Sequence, residues 1–397
     1  MSATSRPFSL SRPFGAALLA AALGSAALAP GCGEPDVALD DEAMNPPGST
    51  GGTDPMKPTD PKDPPRPGDP PPLGAPLDAK PDTWTWVDFP DAVCDDGSPT
   101  GIAVNPHAGS KKLLVFLMGG GACWDYLTCA VINSSTHGPQ GKKEWESNRG
   151  VVTSSVLDRT ASHPFGDYNL VFVPYCTGDV HSGDNVATYE GFGQKKVVHH
   201  KGRANLLAFM KRIGATFRDS EKVVISGSSA GGFGVAVSYD LMRQYFPAAK
   251  GYMLDDSGPI LVKDDVPKDR REAWIKSWGL SPRLAARCPE CVDDLSAMLR
   301  RHATDYPRDR LALLSYTQDG VIRSFLGLRS GPDYEKNLAT LASTFYDATP
   351  NARYYYVPGE DHTFLGNPGK TTAQGVKLSD WLAQFESDSQ GWTSNKP

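Results

Sequence analysis

No acidic residue occurs in this 397-residue chain before Glu34, and no aromatic residue lies between Cys32 and Thr83. The first absence leaves a positively charged start, Arg6 and Arg12, followed by a small apolar stretch from Gly15 to Ala29. That stretch is too short to span a bilayer and has the layout of an export signal. The second absence excludes a folded core over residues 33–82. A segment dominated by Pro, Gly and Asp buries too little apolar surface to offset its ordering entropy. There is also no long basic run, and the net charge is −6. Strong non-specific binding to nucleic acid is thereby excluded.

The apolar stretch ends Leu28-Ala29-Pro30-Gly31-Cys32. A small residue just before a cysteine resembles a bacterial lipoprotein cleavage site, in which the cysteine is lipidated and becomes the first residue. Ala29 stands where that pattern usually has Leu. Residues 1–32 are therefore expected to be a signal peptide with Cys32 as the lipid-bearing residue, the alternative being ordinary signal cleavage nearby. Residues 33–82 are expected to form a disordered tether. Clusters such as Pro70-Pro71-Pro72 keep it extended, with a reach of at most about 150 Å at ~3.1 Å per residue.

From Thr83 to Pro397 the texture is that of a single catalytic domain. Leu113–Leu117, Asn169–Val173 and Lys222–Ile225 are short apolar runs ended by glycine, proline or Ser226-Gly227. Such runs suit buried parallel strands. Arg203–Phe217 has helical spacing, with Leu206, Leu207, Met210 and Ile213 on one side. A helix is also expected over Gly231–Phe246 and another over Lys377–Phe385. Strands are expected at Tyr252–Leu254, Leu311–Tyr316 and Arg353–Val357. Alternating strands and helices predict an α/β fold with a mostly parallel central sheet flanked by helices. No internal repeat is visible.

The sharpest chemical signal is Gly227-Ser228-Ser229-Ala230-Gly231, a G-x-S-x-G run between a predicted strand and a predicted helix. The turn it makes is tight, so the residues two away from the nucleophile must be small. Ser229 is the expected nucleophile; Ser228, its neighbour, lacks the symmetric glycines. A serine hydroxyl needs a base, and in this arrangement the acid and then the histidine follow the serine along the chain. Only His302 and His362 follow Ser229. His362 comes directly after the last predicted strand, where α/β enzymes place their sites; His302 sits in a charged, helical-looking stretch and reads as surface. Asp319 follows the strand ending at Tyr316 and is the expected acid. Asp255 and Asp256, after Tyr252–Leu254, are its rivals, or else shape the site without titrating. Gly119-Gly120-Gly121 follows the first core strand. The amides of Gly120, Gly121 and Ala230 are the expected oxyanion hole.

Several of these motifs occur together and in order: Gly119-Gly120-Gly121-Ala122-Cys123-Trp124, Val173-Pro174-Tyr175-Cys176-Thr177-Gly178-Asp179, Ser228-Ser229-Ala230-Gly231-Gly232 and Asp361-His362. From about Cys94 to His362 the chain resembles the pectin acetylesterase family, to which the animal carboxylesterase Notum also belongs. The resemblance implies an α/β-hydrolase fold and ester cleavage by Ser229, Asp319 and His362. One departure concerns the pocket wall: members often have Glu before the glycines and Trp directly after, whereas Met118 precedes them here and Ala122-Cys123-Trp124 follows.

Seven cysteines are present. With Cys32 set aside, six remain, and six allow 15 pairings. The resemblance places Cys94 near Cys176, and Cys123 and Cys129 bracket one loop. The expected set is Cys94–Cys176, Cys123–Cys129 and Cys288–Cys291. A metal at Cys288 and Cys291 would need a second ligand pair, and none is visible. His199 and His200, as adjacent residues on a helix, would point apart. Neither a metal nor a cofactor is expected.

The reading is an exported serine esterase, lipid-anchored to a bacterial membrane through Cys32 or else secreted. Its expected partner is acylated carbohydrate, such as O-acetylated polysaccharide. A second reading keeps the machinery but gives it a longer acyl pocket, as in a lipase or protein deacylase, with Phe192, Phe233 and Trp124 as possible lining. A third is a non-catalytic surface lipoprotein; the complete Ser, Asp, His and glycine set argues against it.

Overall fold

A computed structural model describes residues 71–160 and 163–397. The expected signal segment, Cys32 and the tether up to residue 70 lie outside the described residues. In chain order the strands are β1 Thr85–Val93, β2 Pro99–Asn105, β3 Lys112–Leu117, β4 Asn169–Val173, β5 Asn185–Gly191, β6 Gln194–His200, β7 Lys222–Ser228, β8 Lys250–Asp256, β9 Arg310–Tyr316 and β10 Ala352–Val357. The helices are α1 Lys142–Val152, α2 Gly202–Thr216, α3 Ala230–Arg243, α4 Lys268–Ser277, α5 Ser281–Arg287, α6 Ala297–Asp305, α7 Gly320–Leu326, α8 Gly331–Leu341 and α9 Leu378–Glu386.

Eight strands form one sheet in the order β1-β2-β4-β3-β7-β8-β9-β10. β2 runs antiparallel to both its neighbours, and every pair from β4 to β10 is parallel. This is an α/β-hydrolase-type sheet. The apolar runs fall on its central strands because those strands are buried on both faces. Along β3, Leu113, Val115 and Leu117 enter one hydrophobic cluster, while Leu114 and Phe116 enter the other. β9 splits in the same way, Leu311 and Leu313 against Ala312 and Leu314. Leu206, Phe209, Met210 and Ile213 of α2 cover the first face together with α3. Trp145 of α1 and Trp381, Leu382 and Phe385 of α9 cover the second. Each such side chain contributes about 1.5–3 kcal/mol by leaving water.

Three disulfides join the expected partners, with Cα–Cα distances of 4.9 Å for Cys94–Cys176, 5.0 Å for Cys123–Cys129 and 5.2 Å for Cys288–Cys291. They fit an exported protein. Among the described residues no helix is long and apolar enough to cross a membrane.

Some expectations differ from the structure. Residues 71–82, read as the end of the tether, lie against the domain: Gly74 N–H donates to Lys211 O at 2.9 Å, and Leu77 is buried with its N–H on Thr216 Oγ1 at 2.7 Å. His199 and His200 stand on strand β6, not on a helix. His200 is buried between Tyr189 OH and Thr177 O. His302 is not on the surface. It is 2% exposed, with Nε2 on Ala236 O at 2.9 Å, because the apolar side of α6 packs on α3. Phe192, read as possible pocket lining, sits in the β5–β6 turn and is 84% exposed.

Candidate active site

Ser229 occupies the turn between β7 and α3 with φ 58° and ψ −120°. A left-handed φ at a non-glycine residue is strained and persists only where the surroundings fix it. Here Ser229 N–H donates to Asp256 O at 2.7 Å and Phe233 N–H donates to Ser229 O at 3.0 Å. The flanking glycines are required by contact. A Cβ on Gly227 would lie 2.6 Å from Gly231 C, and one on Gly231 would lie 2.0 Å from Leu117 O. β3, β7 and α3 therefore meet at the elbow with no room for a side chain.

Asp319 and His362 are brought together from the ends of β9 and β10. His362 Nδ1 lies 2.8 Å from Asp319 Oδ2, with the aspartate fully buried and the histidine 20% exposed. The other carboxylate oxygen, Oδ1, accepts from the amides of Val321 and Ile322 at 2.9 Å each, which caps α7. With Oδ1 occupied by two amides, Asp319 presents Oδ2 as the acceptor for His362 Nδ1–H. An Nδ1–H facing a carboxylate leaves Nε2 as the lone pair, the tautomer a general base needs.

Asp256 does not meet the imidazole. Its Oδ2 accepts from Ser228 Oγ at 2.6 Å and from Leu365 N–H at 3.0 Å, and Phe364 N–H is shared between both oxygens at 3.0 and 3.1 Å. This buried carboxylate ties the serine turn to the loop that carries His362. Burial pushes its pKa up, and the hydroxyl and amide donors oppose the rise. Asp255 is pushed up further, by burial and by the neighbouring Asp256; its Oδ1 accepts from Gly258 N–H at 2.8 Å. Ser228 Oγ is thereby engaged. Ser229 Oγ makes no hydrogen bond among the described residues, so its link to His362 is not a bond of this structure.

The glycine loop lies beside the nucleophile: a Cβ on Gly119 would be 3.1 Å from Ser229 Cβ. The loop is held from below by His181, a residue that sequence reasoning missed. His181 Nε2 lies 2.8 Å from Met118 O, and its ring stacks against Tyr175 with centroids 4.7 Å apart. Burial holds its pKa down, so the neutral ring donates Nε2–H to that carbonyl. Val180 and His181 both have positive φ, 48° and 56°, a strain of about 1–3 kcal/mol each. Asp179 fixes the segment by accepting from Thr177 Oγ1, Gly183 N–H and Gly202 N–H. The signal was present in the sequence as the continuation of the Tyr175–Asp179 motif, but a single histidine among small residues does not announce a loop anchor.

Trp124 leads from the glycine loop into an aromatic group. Trp124 meets Trp274 and Phe325 edge-on at 5.9 and 5.8 Å, and Trp274 stacks on Phe325 at 4.8 Å. Phe233, one helical turn after Ser229, lies 5.3 Å from Phe325. Trp278 Nε1 donates to Cys123 O at 2.9 Å and Ser277 Oγ to Trp124 O at 2.7 Å, fastening this wall to α4. Beside it lies a small apolar cavity of about 40 Å³, lined by Phe233, Trp274, Trp278 and Phe325 among others.

A serine on a strained strand-to-helix turn, with an aspartate-bound histidine from later strand ends, defines the α/β-hydrolase class of site. A family model described as pectinacetylesterase matches residues 83–279, just under half of the chain, and this chain is similar to that family. Its relatives include three palmitoleoyl-protein carboxylesterases. Notum2 of Xenopus laevis is 30% identical over 149 residues, 37% of this chain and 29% of that protein. NOTUM of Mus musculus is 28% identical over 201 residues, 49% of this chain and 38% of that protein. NOTUM of Homo sapiens is 28% identical over 184 residues, 42% and 34%. The chain spans about a third of the length of these curated relatives.

Proposed function

We propose that this domain is a serine carboxylic ester hydrolase that removes O-acetyl or other short acyl groups from polysaccharide outside the cytoplasm. The observation that carries the reading is the His362–Asp319 bond at 2.8 Å, made by the two residues that follow the ends of β9 and β10. Ser229 Oγ attacks the acyl carbon while His362 Nε2 takes its proton. Asp319 stabilises the imidazolium that forms. The amides of Gly120, Gly121 and Ala230 receive the developing oxyanion. Imidazolium then protonates the leaving sugar oxygen as the acyl C–O bond breaks, releasing the free hydroxyl, and water hydrolyses the acyl-enzyme by the same route in reverse. No cofactor enters this sequence.

The folded domain follows a lipid-anchored tether in this reading, with Cys32 as the anchor and the segment from residue 33 as the spacer. The disulfides support export; the anchor rests on the sequence of residues 1–32.

A longer acyl group is the second reading. The apolar cavity beside Phe233 favours it, as does the similarity to palmitoleoyl-protein carboxylesterases. Ring stacking between Trp274 and Phe325 across that wall favours the shorter group.

The test of the esterase reading is Ser229→Ala against p-nitrophenyl acetate, with a fluorophosphonate label as a second readout. The variant should keep the fold, lose the label and lose about 10⁴–10⁶ in kcat. A folded Ser229→Ala protein with undiminished activity would overturn it.

A further inference from the structure

A cleft between α3, α5 and α6 carries one arginine, Arg283, that its own carboxylates do not pair. Its volume is about 60 Å³, and it is lined by Asp240, Arg283, Arg287, Arg301, His302 and Asp305 together with apolar side chains. None of the residues proposed for catalysis lines it.

Both carboxylates are engaged. Arg287 lies 3.4 Å from Asp240, and Arg301 lies 2.8 Å from Asp305. Arg283 has no such partner: its Nη1 and Nη2 are both buried without a hydrogen bond among the described residues. Arg203, on α2, has a buried Nη1 in the same condition. The two guanidiniums act on each other. Burial first, and then the charge of Arg203, hold the Arg283 pKa down to about 10. Arg203 itself is depressed by burial, with Asp240 opposing and Arg287 adding to the effect.

A buried guanidinium without an acceptor is costly, and two that repel each other cost more. A planar guanidinium matches the spaced oxygens of an oxyanion. The wall also holds an acceptor. His302 Nε2 faces Ala236 O and must donate, while its buried Nδ1 has no partner among the described residues. Burial keeps this histidine neutral, so Nδ1 presents a lone pair. We propose that the cleft binds a small oxyanion that also carries an O–H, of which hydrogen phosphate is the simplest: the oxygens accept from Arg283, and the hydroxyl donates to His302 Nδ1. Sulfate and carboxylates offer the oxygens but, at neutral pH, no such donor. The ligand is the free ion: a phosphomonoester, whose second pKa is about 6, has mostly lost that O–H at neutral pH.

The experiment is thermal unfolding of wild type and Arg283→Met at pH 7 in sodium phosphate, sodium sulfate and sodium chloride of equal ionic strength. Specific binding should raise the wild-type Tm by about 2–4 °C in phosphate over sulfate, and the variant should lack that increment. In chloride the variant should melt at or above wild type, because an unpaired charge has been removed. Equal increments in wild type and variant, or sulfate matching phosphate in wild type, would overturn the proposal. Isothermal titration of wild type with inorganic phosphate, then with glucose 6-phosphate, keeps the test independent of how the variant folds. Saturable binding of inorganic phosphate, tighter than that of glucose 6-phosphate, supports the site, and absence of phosphate binding or tighter binding of the ester refutes it.

Discussion

His362 and Asp319 are bonded through one carboxylate oxygen while the other caps α7 with two amide hydrogen bonds. The acid is thus built into the start of a helix, and the histidine docks onto it. The imidazole is oriented by a group that cannot turn without uncapping α7.

Two aspartates compete for the role of acid, and the structure gives them different work. Asp319→Asn should lower kcat by about 10⁴, since the amide favours the wrong imidazole tautomer. Asp256→Asn should act through the loops it ties, with about 1–3 kcal/mol of lost stability from imperfectly paired donors and a smaller loss of kcat. Comparing kcat and urea midpoints for the two variants checks this. A crippling Asp256→Asn beside a mild Asp319→Asn would reverse the assignment.

Asp255 gives a pH signature. Its folded pKa is well above the ordinary 3.8, so the folded state holds a proton that the unfolded chain releases first. Stability is then lost as pH rises from about 4 through the folded value, and the penalty is complete above it. Asp255→Asn has no proton to lose. Its urea midpoint should therefore improve relative to wild type as pH goes from 5 to 8. Parallel pH dependence in the two proteins would show that Asp255 does not bear this burial cost.

The disulfides differ in the chain they close. Cys94–Cys176 spans 82 residues, Cys123–Cys129 six and Cys288–Cys291 three. Chain-entropy arithmetic assigns about 4–5 kcal/mol to the first and about 2 kcal/mol to each of the others. Replacing each pair by alanine should reproduce that order in urea unfolding. Thiol counting on unfolded, unreduced protein should find none of these six free; six reactive thiols would contradict the pairing.

The central strands were legible because burial on both faces makes them apolar throughout, as in Leu113–Leu117 and Leu170–Val173. The elbow was legible because its contact geometry demands glycine at Gly227 and Gly231. The edge strand β1 was not: it pairs on one side only, contains Pro90 and alternates irregularly, and an edge tolerates both. α4 was hidden because Lys268–Ser277 buries only Trp274, leaving no apolar stripe. His302 was misread because the charges beside it, Arg300 and Arg301, are exposed while its own ring is buried against α3. The pairing of His362 with Asp319 followed from strand ends, whereas the clamp by Asp256 depends on amides of Phe364 and Leu365 that no side-chain pattern reports.

Acyl size is decided at the aromatic wall. The Cys123–Cys129 bridge, the Trp278–Cys123 bond and the Ser277–Trp124 bond fix Trp124 beside the glycine loop. Behind it Trp274 and Phe325 lie face to face, and Phe233 fills the side towards Ser229. A wall fastened at this many points does not yield to a long chain without breaking ring contacts, each worth about 0.5–1.5 kcal/mol. A matching channel would instead add about 0.8 kcal/mol for every methylene it buried. Acetate should therefore be cleaved with higher kcat/KM than dodecanoate, and Phe325→Ala should shift the optimum to longer chains by opening the cavity behind it. The measurement is kcat/KM for p-nitrophenyl esters from acetate to dodecanoate at fixed pH, below micelle-forming concentrations. A monotonic rise with chain length in the wild-type protein would defeat the short-acyl reading and make the apolar cavity the acyl site of a lipid-ester hydrolase.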